Sequence, residues 1–422
     1  MIPRFRPTVS FWEALRFMAE VLFLDADRSE DVTTFEDAFA RYHGAAGSVF
    51  VSSGRMALRL ILKALDYPAG AGIVVPAFTH FSIPAMIRAM GFKPLFADIE
   101  PFTYAMTPTS LRVAITPEAR AVIPTHLFGR TCPMRDLTDV AREHSLDVIE
   151  DCAQALGART SDGPVGLLGR AAFFTFGVTK NFTTYSGGMV LSRDAALLDR
   201  IRRFAAGFGR PPLVRLLKEG VVAAAMNVAV WPPVFDLVLG PILRLSKQDR
   251  PDGIHNLFEE PMQMAPEGRM STWEWRPRSA QARAGLRQLV RLDARNQARR
   301  SVGAVLLESL TRLGCSGLPA PADTNGDHLF MSFPIRRPDR FRFISALRRF
   351  GIDASPGYVS NCCRLPDVGG KGPDQCPAAE SVAREIVHLP LYPGLGARHL
   401  QRIAWAVARA DAEGGQGLAR TT

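Results

Sequence analysis

Short apolar runs alternate with amphipathic stretches between about residues 47 and 195. The runs predicted as strands are Ala71 to Val75, Pro94 to Ile99, Ala121 to Pro124, Leu146 to Glu150, Ala171 to Phe176 and Gly188 to Leu191. Between them, Met134 to His144 places Leu137, Val140 and Ala141 on one helical face. This alternation predicts a mostly parallel sheet with helices on both faces. In such sheets, ligands bind beyond the carboxyl ends of the strands.

The last third of the chain has a different pattern. A long helical pattern from Ser279 to Leu310 precedes a strand near Leu329 to Pro334, a helix from Pro338 to Phe350 and a terminal helix from Ala397 to Ala412. These elements predict a smaller α+β unit. We therefore predict an N-terminal arm (1–24), a large domain (25–290) with an insertion at about 205–268, and a small domain (291–422).

Composition fits a globular protein of two domains, with 422 residues, 47% hydrophobic and 22% charged. The six cysteines form no CxxC pair with matching histidines, which argues against a zinc site and favours a reducing, cytosolic setting. No uninterrupted apolar run with a cleavage site follows Arg4 and Arg6, so we expect no signal peptide.

The formal net charge of +10 has three interpretations. A solvated, arginine-rich surface explains it without any partner. Anionic substrates such as nucleotide diphosphates, or an anionic membrane face, are the functional alternatives. The basic residues are dispersed and contain no recognition module, so we expect no nucleic-acid partner.

Three segments place reactive side chains at predicted strand ends. Asp151 follows an apolar strand, where a carboxylate serves equally well as a helix N-cap or as an active-site acid. Lys180 follows another strand; most such lysines extend to solvent, but one partly buried near other cations becomes a carbonyl nucleophile. Ser52 to Gly54 precede a helical pattern, which suits a phosphate or an ordinary serine cap. Taken singly, the segments leave these alternatives open.

The segments also occur in one characteristic order: Phe35 to Ala40, Ser52 to Gly54, Val75 to Thr79, Pro124 to Gly129, Glu150 to Ala158, Val178 to Thr184, Gly187 to Val190 and Leu389 to Gly394. In this order, and from about residue 25 to 410, the chain resembles the DegT/StrS-type nucleotide-sugar aminotransferases. These are enzymes of fold type I that depend on pyridoxal 5'-phosphate (PLP). The spacing from the acidic segment to the Thr179-Lys180-Asn181 turn is the most specific part of the resemblance.

The resemblance implies an α/β fold of the aspartate-aminotransferase type (PLP-dependent transferase fold type I), assembled as a homodimer. The large domain would hold a mostly parallel sheet, and the C-terminal domain would be a smaller α+β unit. Lys180 would hold PLP as a Schiff base and move the proton at the substrate's α-carbon. Asp151 would keep the pyridine nitrogen protonated, because an unprotonated ring is a poorer electron sink.

The remaining cofactor contacts are also implied by the resemblance. Gln154 would contact the phenolic oxygen of the ring, His80 would stack on the ring, and Thr175 would lie near the phosphate. The full set of cofactor-binding residues is then Ser53, Gly54, Arg55, His80, Asp151, Gln154, Thr175 and Lys180. No metal ligand is among them.

Several positions depart from the family pattern. Arg55 stands where a small Thr is usual, Thr175 replaces a common Ser, and Glu274 falls where a partner subunit normally supplies an Asn to the phosphate. A carboxylate facing a phosphate is unfavourable unless paired, so we expect Arg55 to contact the phosphate and to neutralise Glu274. The loop Gly357 to Cys362 lacks the histidine often seen in the family's substrate loop.

The implied function is transfer of an amino group from an amino acid, with glutamate as the expected donor, to a nucleotide-linked keto-sugar. Its product would serve surface polysaccharide or related glycoconjugate biosynthesis. One alternative is another PLP reaction such as sugar dehydration, although the family's dehydratases are expected to carry a different residue at Lys180. The other is a non-catalytic regulatory or membrane-scaffold protein that kept the fold.

The insertion is the least typical segment. Gly220 to Leu243 contains one charged residue, Asp236, and is long enough to span a bilayer. We reject a simple span, because segments on both sides of it must meet in one folded enzyme and Pro232-Pro233 break a continuous helix. Two interpretations remain: a buried excursion or dimer contact, and a helical hairpin that rests on the inner membrane face through about residues 205–250.

Two sets of residues favour the membrane interpretation. The cations that flank the segment are Arg203, Arg210, Arg215, Lys218, Arg244 and Lys247. The apolar residues of the N-terminal stretch that could join it are Phe11, Trp12, Leu15, Phe17, Met18, Val21 and Leu22.

Overall fold

Most of the chain is organised around one seven-stranded sheet in a computed structural model, which describes residues 1–24, 29–245, 273–322 and 327–418. The strands are β1 (Gly47–Val51), β2 (Gly72–Pro76), β3 (Phe78–Thr79), β4 (Lys93–Ala97), β5 (Ala119–Val122), β6 (Asp147–Asp151), β7 (Arg159–Thr160), β8 (Gly163–Pro164), β9 (Ala171–Thr175), β10 (Gly188–Ser192), β11 (Phe333–Arg336), β12 (Ser360–Asn361) and β13 (Ile386–Leu389). The large sheet has the order β1-β10-β9-β6-β5-β2-β4. Strand β10 is antiparallel to both neighbours and every other pairing is parallel, which confirms the mostly parallel sheet.

Helices cover both faces of this sheet and build the rest of the described chain. They are α1 (Phe11–Ala19), α2 (Ser29–His43), α3 (Gly54–Leu65), α4 (Ser82–Ala89), α5 (Pro108–Ala114), α6 (Met134–Glu143), α7 (Ala195–Ala206), α8 (Leu213–Ala229), α9 (Pro232–Val234), α10 (Gly240–Leu245), α11 (Ser279–Leu289), α12 (Leu292–Arg312), α13 (Arg340–Arg349), α14 (Pro377–Glu385) and α15 (Ala397–Leu418). Two single π-helical turns, Glu20–Leu24 and Phe235–Leu239, follow α1 and α9.

The residues of β2 show why a parallel strand is apolar throughout. Ile73 and Val75 pack in the core that includes residues of α3 and α4. Val74, which points to the other face, packs in a separate core with Leu111 of α5 and Leu137 of α6. Both faces of the strand are therefore buried, so no polar alternation appears in its sequence.

A second core forms in the C-terminal part of the chain. It joins Leu306 and Leu310 of α12 to the strand pair β11–β13 and to α13 and α15. Because Ile2 of the N-terminal arm belongs to the same core, the two ends of the described chain pack together. The division of the chain at residue 290 stays a prediction.

Some element boundaries differ from the predicted ones. The predicted helical stretch Ser279 to Leu310 consists of α11 and α12, separated at Val290 and Arg291. Strand β1 was not among the predicted strands, and the predicted strand Leu329 to Pro334 begins only at Phe333. Local pattern alone does not fix these boundaries, because tertiary contacts decide where an amphipathic run breaks.

The N-terminal arm and the insertion pack on each other. Met18 and Phe17 of α1 lie so close to Gly220 of α8 that a Cβ there would be 2.4 Å from Met18 Cγ. The amide of Asn227 in α8 also donates to the Val9 carbonyl at 3.0 Å. The arm and α8 therefore form one unit.

The insertion is broken where the prolines predict. α8 ends at Ala229, α9 begins at Pro232, and the axes of the apolar segments before and after the break differ by 70°. Among the described residues, no single helix is long and apolar enough to cross a membrane, and only this bent pair reaches that length and composition together. Residues 246–272, which include Lys247 and the end of the predicted insertion, lie outside the described residues.

The two ends of the insertion meet. The backbone N–H of Arg276 donates to the Gly209 carbonyl at 2.8 Å, and Gly209 forms a parallel bridge with Trp275. The chain therefore leaves and re-enters the large domain at one point.

Helix α2 covers the edge strand β1 with a half-buried carboxylate. Glu36 accepts a hydrogen bond from the backbone N–H of Phe50 at 2.6 Å, which satisfies a donor at the sheet edge. Burial raises the pKa of Glu36 to about 7, against the opposing effects of this hydrogen bond and of Arg202.

A raised carboxyl pKa lowers the stability of the folded protein as pH rises. The folded state retains a proton that the unfolded chain releases near pH 4.5, so the penalty grows between about pH 4.5 and 7 and then stays constant. We expect Glu36→Gln to raise the Tm above that of wild type at pH 8. The corresponding gain in the free energy of unfolding is at most about 3 kcal/mol, and it is smaller to the extent that solvent reaches the carboxyl group. The gain should shrink toward pH 5 in thermal melts. Glu30→Gln, an exposed change in the same helix, should show no such trend; an equal trend there would contradict the assignment to Glu36.

Candidate functional site

A cavity of about 270 Å³ lies at the carboxyl ends of the parallel strands. Asp151 is the last residue of β6, Thr175 the last of β9, and Thr79 ends β3 just beyond β2. The structure brings all of the predicted site residues to this cavity: Ser53, Gly54, Arg55, His80, Asp151, Gln154, Thr175 and Lys180. The cavity therefore lies at the carboxyl edge of the sheet, where ligands bind in folds of this kind.

Lys180 sits in the turn that follows β9. Its backbone N–H donates to Gly177 at 3.1 Å, and its carbonyl accepts from the hydroxyl of Thr8 in the N-terminal arm at 2.5 Å. The ammonium lies 5.8 Å from the ring centre of Tyr358, and the side chain is only partly exposed. The turn thus holds the amine inside the cavity instead of extending it into bulk water.

Asp151 is a buried carboxylate on the same cavity. Its Oδ1 accepts the backbone N–H of Ala153 at 3.0 Å. Burial raises the pKa of Asp151 above its usual range, opposed by that hydrogen bond and by the nearby Lys180. No helix begins directly after Asp151, since residues 152–158 form turns, so the alternative of a helix N-cap does not hold.

A buried hydrogen-bond network fixes the end of β6. Glu150 accepts backbone N–H bonds from Gly166, Leu168 and Gly169 at 2.7–2.9 Å and faces His126 Nε2 at 3.2 Å. Because His126 Nδ1 accepts from the backbone N–H of Cys132 at 3.0 Å, its proton is on Nε2 and points to Glu150. Glu150 therefore positions β6, and with it Asp151.

The same network is the one group of potential metal ligands in the described residues. His126, Glu150 and Cys152 place their ligand atoms within 4.8 Å of one another. Hydrogen bonds already occupy both carboxylate oxygens of Glu150 and both ring nitrogens of His126. The geometry is explained without a cation.

Helix α3 begins at the cavity. Ser53 caps it by accepting the Met56 N–H at 3.2 Å, so the serine acts as an ordinary cap and lines the cavity as well. A Cβ on Gly54 would lie 2.9 Å from the Cβ of Thr175, so glycine allows β9 to pack directly on the start of the helix. The first amides and the positive end of the helix dipole suit a phosphate here.

The expected neutralisation of Glu274 by Arg55 is corrected by the structure. Glu274 pairs with Arg59 at 2.6 Å, one helical turn further along α3. The guanidinium of Arg55 lies 4.3 Å from the ring centre of Trp273, and the carbonyl of Trp273 accepts from Ser52 Oγ at 2.6 Å. Arg55 remains on the cavity lining, where it can still serve an anion.

Hydrogen bonds hold two further polar side chains of the cavity lining in place. His80 Nδ1 lies 2.7 Å from Ser82 Oγ, which fixes the imidazole plane. The Oε1 of Gln154 accepts the Phe128 N–H at 3.1 Å, which leaves its amide nitrogen as the donor for an oxygen in the cavity.

These residues fit PLP. An amine, a buried carboxylate, an amide donor and a helix N-terminus match the aldehyde, pyridine nitrogen, phenolic oxygen and phosphate of that cofactor. In addition, Thr79 lines the cavity, and its buried Oγ1 has no hydrogen-bond partner among the described residues. A ligand with polar groups would satisfy this oxygen.

Several polar lining residues are missing from the predicted set, among them Thr79, Thr125 and Tyr358. The two threonines follow predicted strands, so the rule that sites lie at carboxyl ends could have found them. Tyr358 belongs to the loop that the resemblance connects with the substrate, and no local signal connects it to Lys180. Only the fold brings these two residues together.

The chain was compared with known proteins. The model of the DegT/DnrJ/EryC1/StrS aminotransferase family matches residues 24–220 and 262–408. A UDP-N-acetyl-3-dehydro-alpha-D-glucosamine 3-aminotransferase from Acidithiobacillus ferrooxidans is 29% identical over 375 residues, which cover 89% of this chain and 87% of that protein. GDP-perosamine synthase from Caulobacter vibrioides is 27% identical over 381 residues, 89% of each protein.

A solved structure shares the architecture. DesV from S. venezuelae is 26% identical, covers 94% of each chain and has a TM-score of 0.72. The family match extends over most of the chain and includes every residue of the site. The chain belongs to the DegT/DnrJ/EryC1/StrS aminotransferase family and is a PLP-dependent aminotransferase.

Proposed function

We propose that this enzyme transfers the amino group of an amino acid, with glutamate as the donor, to a nucleotide-linked keto-sugar, as a step in the biosynthesis of surface polysaccharide or a related glycoconjugate. The observation that carries the proposal is the convergence of Lys180, Asp151, Gln154 and the start of α3 on one cavity. The names of the relatives support the acceptor class, because they act on UDP-linked and GDP-linked sugars.

The protein's own residues divide the work. When bound, PLP supplies an electron sink for the carbanion at the donor's α-carbon. Asp151 holds a proton on the pyridine nitrogen, and the network of Glu150 and His126 keeps that carboxylate in place. Lys180 is the base that removes and returns the α-proton. The amides at the start of α3, with Arg55, bind the phosphate.

The experiment follows nitrogen through both half-reactions. The holoenzyme is incubated with glutamate labelled with heavy nitrogen and then with a panel of keto-sugar nucleotides, and the products are analysed by mass spectrometry. We expect the label to appear in an amino-sugar nucleotide. If the donor half-reaction proceeds and no keto-sugar nucleotide takes the label, the acceptor class is wrong. A dehydrated sugar without label would instead indicate the dehydratase reaction.

The proposal includes a homodimer, which the resemblance to fold-type-I enzymes supports. Light scattering of the holoenzyme should give the mass of two chains. A fully active monomer would contradict this part of the proposal.

A further inference from the structure

The described surface has an uneven distribution of apolar side chains. Most of the large apolar side chains that are exposed lie in the arm and the insertion: Trp12, Leu22, Phe23, Leu24, Leu213, Val214, Val221, Val228, Trp231, Leu237, Val238 and Ile242. We refer to these residues as the apolar face. A concentration of exposed apolar side chains in neighbouring elements indicates an interaction site.

The two parts of the apolar face belong to elements that pack on each other. Helix α1 lies directly on α8, with Met18 and Phe17 against Gly220. On α8, Val214, Val221 and Val228 recur every seven residues, so they form one stripe along the helix. Residues such as Leu216 and Ala223 face the protein instead and belong to the core shared with the arm.

A charged side chain, that of Lys218, lies within the valine stripe of α8. Lys218 is exposed, and it stands four residues after Val214 and three before Val221, which puts it on the same side of α8. A lysine among apolar side chains is typical of helices that lie in a membrane interface, where its ammonium reaches the anionic headgroups. Arg203, at the end of α7, is exposed as well.

The bent geometry fits a segment that lies on a membrane and does not cross it. Met226, Phe235 and Leu243 of the insertion point inward and line a cavity of about 180 Å³ against the arm and the C-terminal part. This cavity shares Thr179 and Tyr358 with the cofactor cavity. One side of the hairpin therefore packs on the protein, and the other side carries the exposed residues of the apolar face.

The family match adds an independent argument. It stops at residue 220 and resumes at residue 262, so the central part of the insertion, which carries much of the apolar face, is an addition to the sequence common to the family. We propose that the apolar face docks the enzyme on an anionic lipid bilayer. The exposed cations and the net charge of +10 make the bilayer the complementary partner, more than a second copy of this basic chain.

The test uses matched pairs of substitutions in the PLP-loaded enzyme. Trp231→Glu places a charge in the apolar face, whereas Trp405→Glu changes a tryptophan of similar exposure (54% against 59%) on α15. The control for Val221→Glu with Val228→Glu is Val113→Glu with Val305→Glu, which changes two exposed valines outside the apolar face. Each variant is first checked for its visible PLP absorption and its mass by light scattering.

Binding is measured by sedimentation with vesicles of phosphatidylglycerol and phosphatidylcholine, or of phosphatidylcholine alone. We expect wild type and both controls to bind the anionic vesicles, with binding weakened but not lost at high salt. The variants of the apolar face should bind at least about tenfold less. Because catalysis is not measured, the result is independent of the proposed amino acceptor.

Two outcomes would overturn the proposal. The first is a wild-type enzyme that does not sediment with anionic vesicles. The second is a set of apolar-face variants that lose the dimer mass and still sediment with anionic vesicles like wild type, which would assign the face to a second copy. If the variants fail to fold, tryptophan quenching by brominated lipids decides the question in wild type, since unquenched emission at saturating vesicles would also reject it.

Discussion

Lys180→Ala is expected to abolish the visible absorption of lysine-bound PLP and to lower turnover by at least about 10³-fold. The variant loses both the amine that forms the covalent bond with the cofactor and the base at the α-carbon. Absorption spectra and steady-state rates measure the two losses separately. Borohydride reduction of wild type followed by peptide mapping should place the fixed cofactor on Lys180.

The control for this change is Lys93→Ala, because Lys93 is an exposed lysine on β4, away from the cavity lining. It should leave both absorption and rate unchanged. A Lys180→Ala protein that still shows a reducible, lysine-bound cofactor would place the covalent bond elsewhere and remove the basis of the site assignment.

Asp151→Asn is expected to retain PLP and to lose turnover by roughly 10² to 10⁴-fold. The amide is nearly isosteric, and it can still accept the Ala153 N–H, so the fold of the β6 end should survive. It does not hold a proton on the pyridine nitrogen as a carboxylate does, so the electron sink weakens. Stopped-flow absorption of each half-reaction, with either the donor or the acceptor, would measure the effect.

The matched change is Asp147→Asn, at the other end of the same strand. Asp147 pairs with Arg170 at 2.9 Å, outside the cavity, so its loss should lower the Tm and leave the rate nearly intact. Near-normal half-reactions in Asp151→Asn would mean that this carboxylate has only a structural role.

The sequence predicted which residues line the cavity better than it predicted the contacts around them. Lys180 and Asp151 could be placed there because Asp151 lies at the end of one strand, Lys180 lies shortly after the end of another, and the spacing between the two segments is specific. The pairing of Arg59 could not be predicted, because the choice between Arg55 and Arg59 as partner of Glu274 depends on how residues 273–275 dock on α3. The contact between Tyr358 and Lys180 could not be predicted either, because Tyr358 reaches the cavity from a loop that is distant in the sequence.

The fold shows the same limit. The continuous apolar runs predicted the parallel strands, because a strand that is buried on both faces is apolar at nearly every position. The break between α11 and α12 could not be predicted in this way, because the residues around Val290 and Arg291 continue the helical pattern of Arg, Ala and Leu. Packing against the rest of the molecule determines that turn.

The closure between Gly209 and Trp275 has an evolutionary consequence. The entropic cost of closing a chain segment grows only with the logarithm of its length, by about 0.6 kcal/mol for each doubling. Loop closure therefore adds little to the cost of gaining or losing chain between these two residues, because the anchors that rejoin the catalytic framework stay where they are, although the core that α8 shares with the arm would have to be replaced. A lineage could acquire or discard such a segment without redesigning the catalyst, and the same pair of residues marks where it could be transplanted onto a relative.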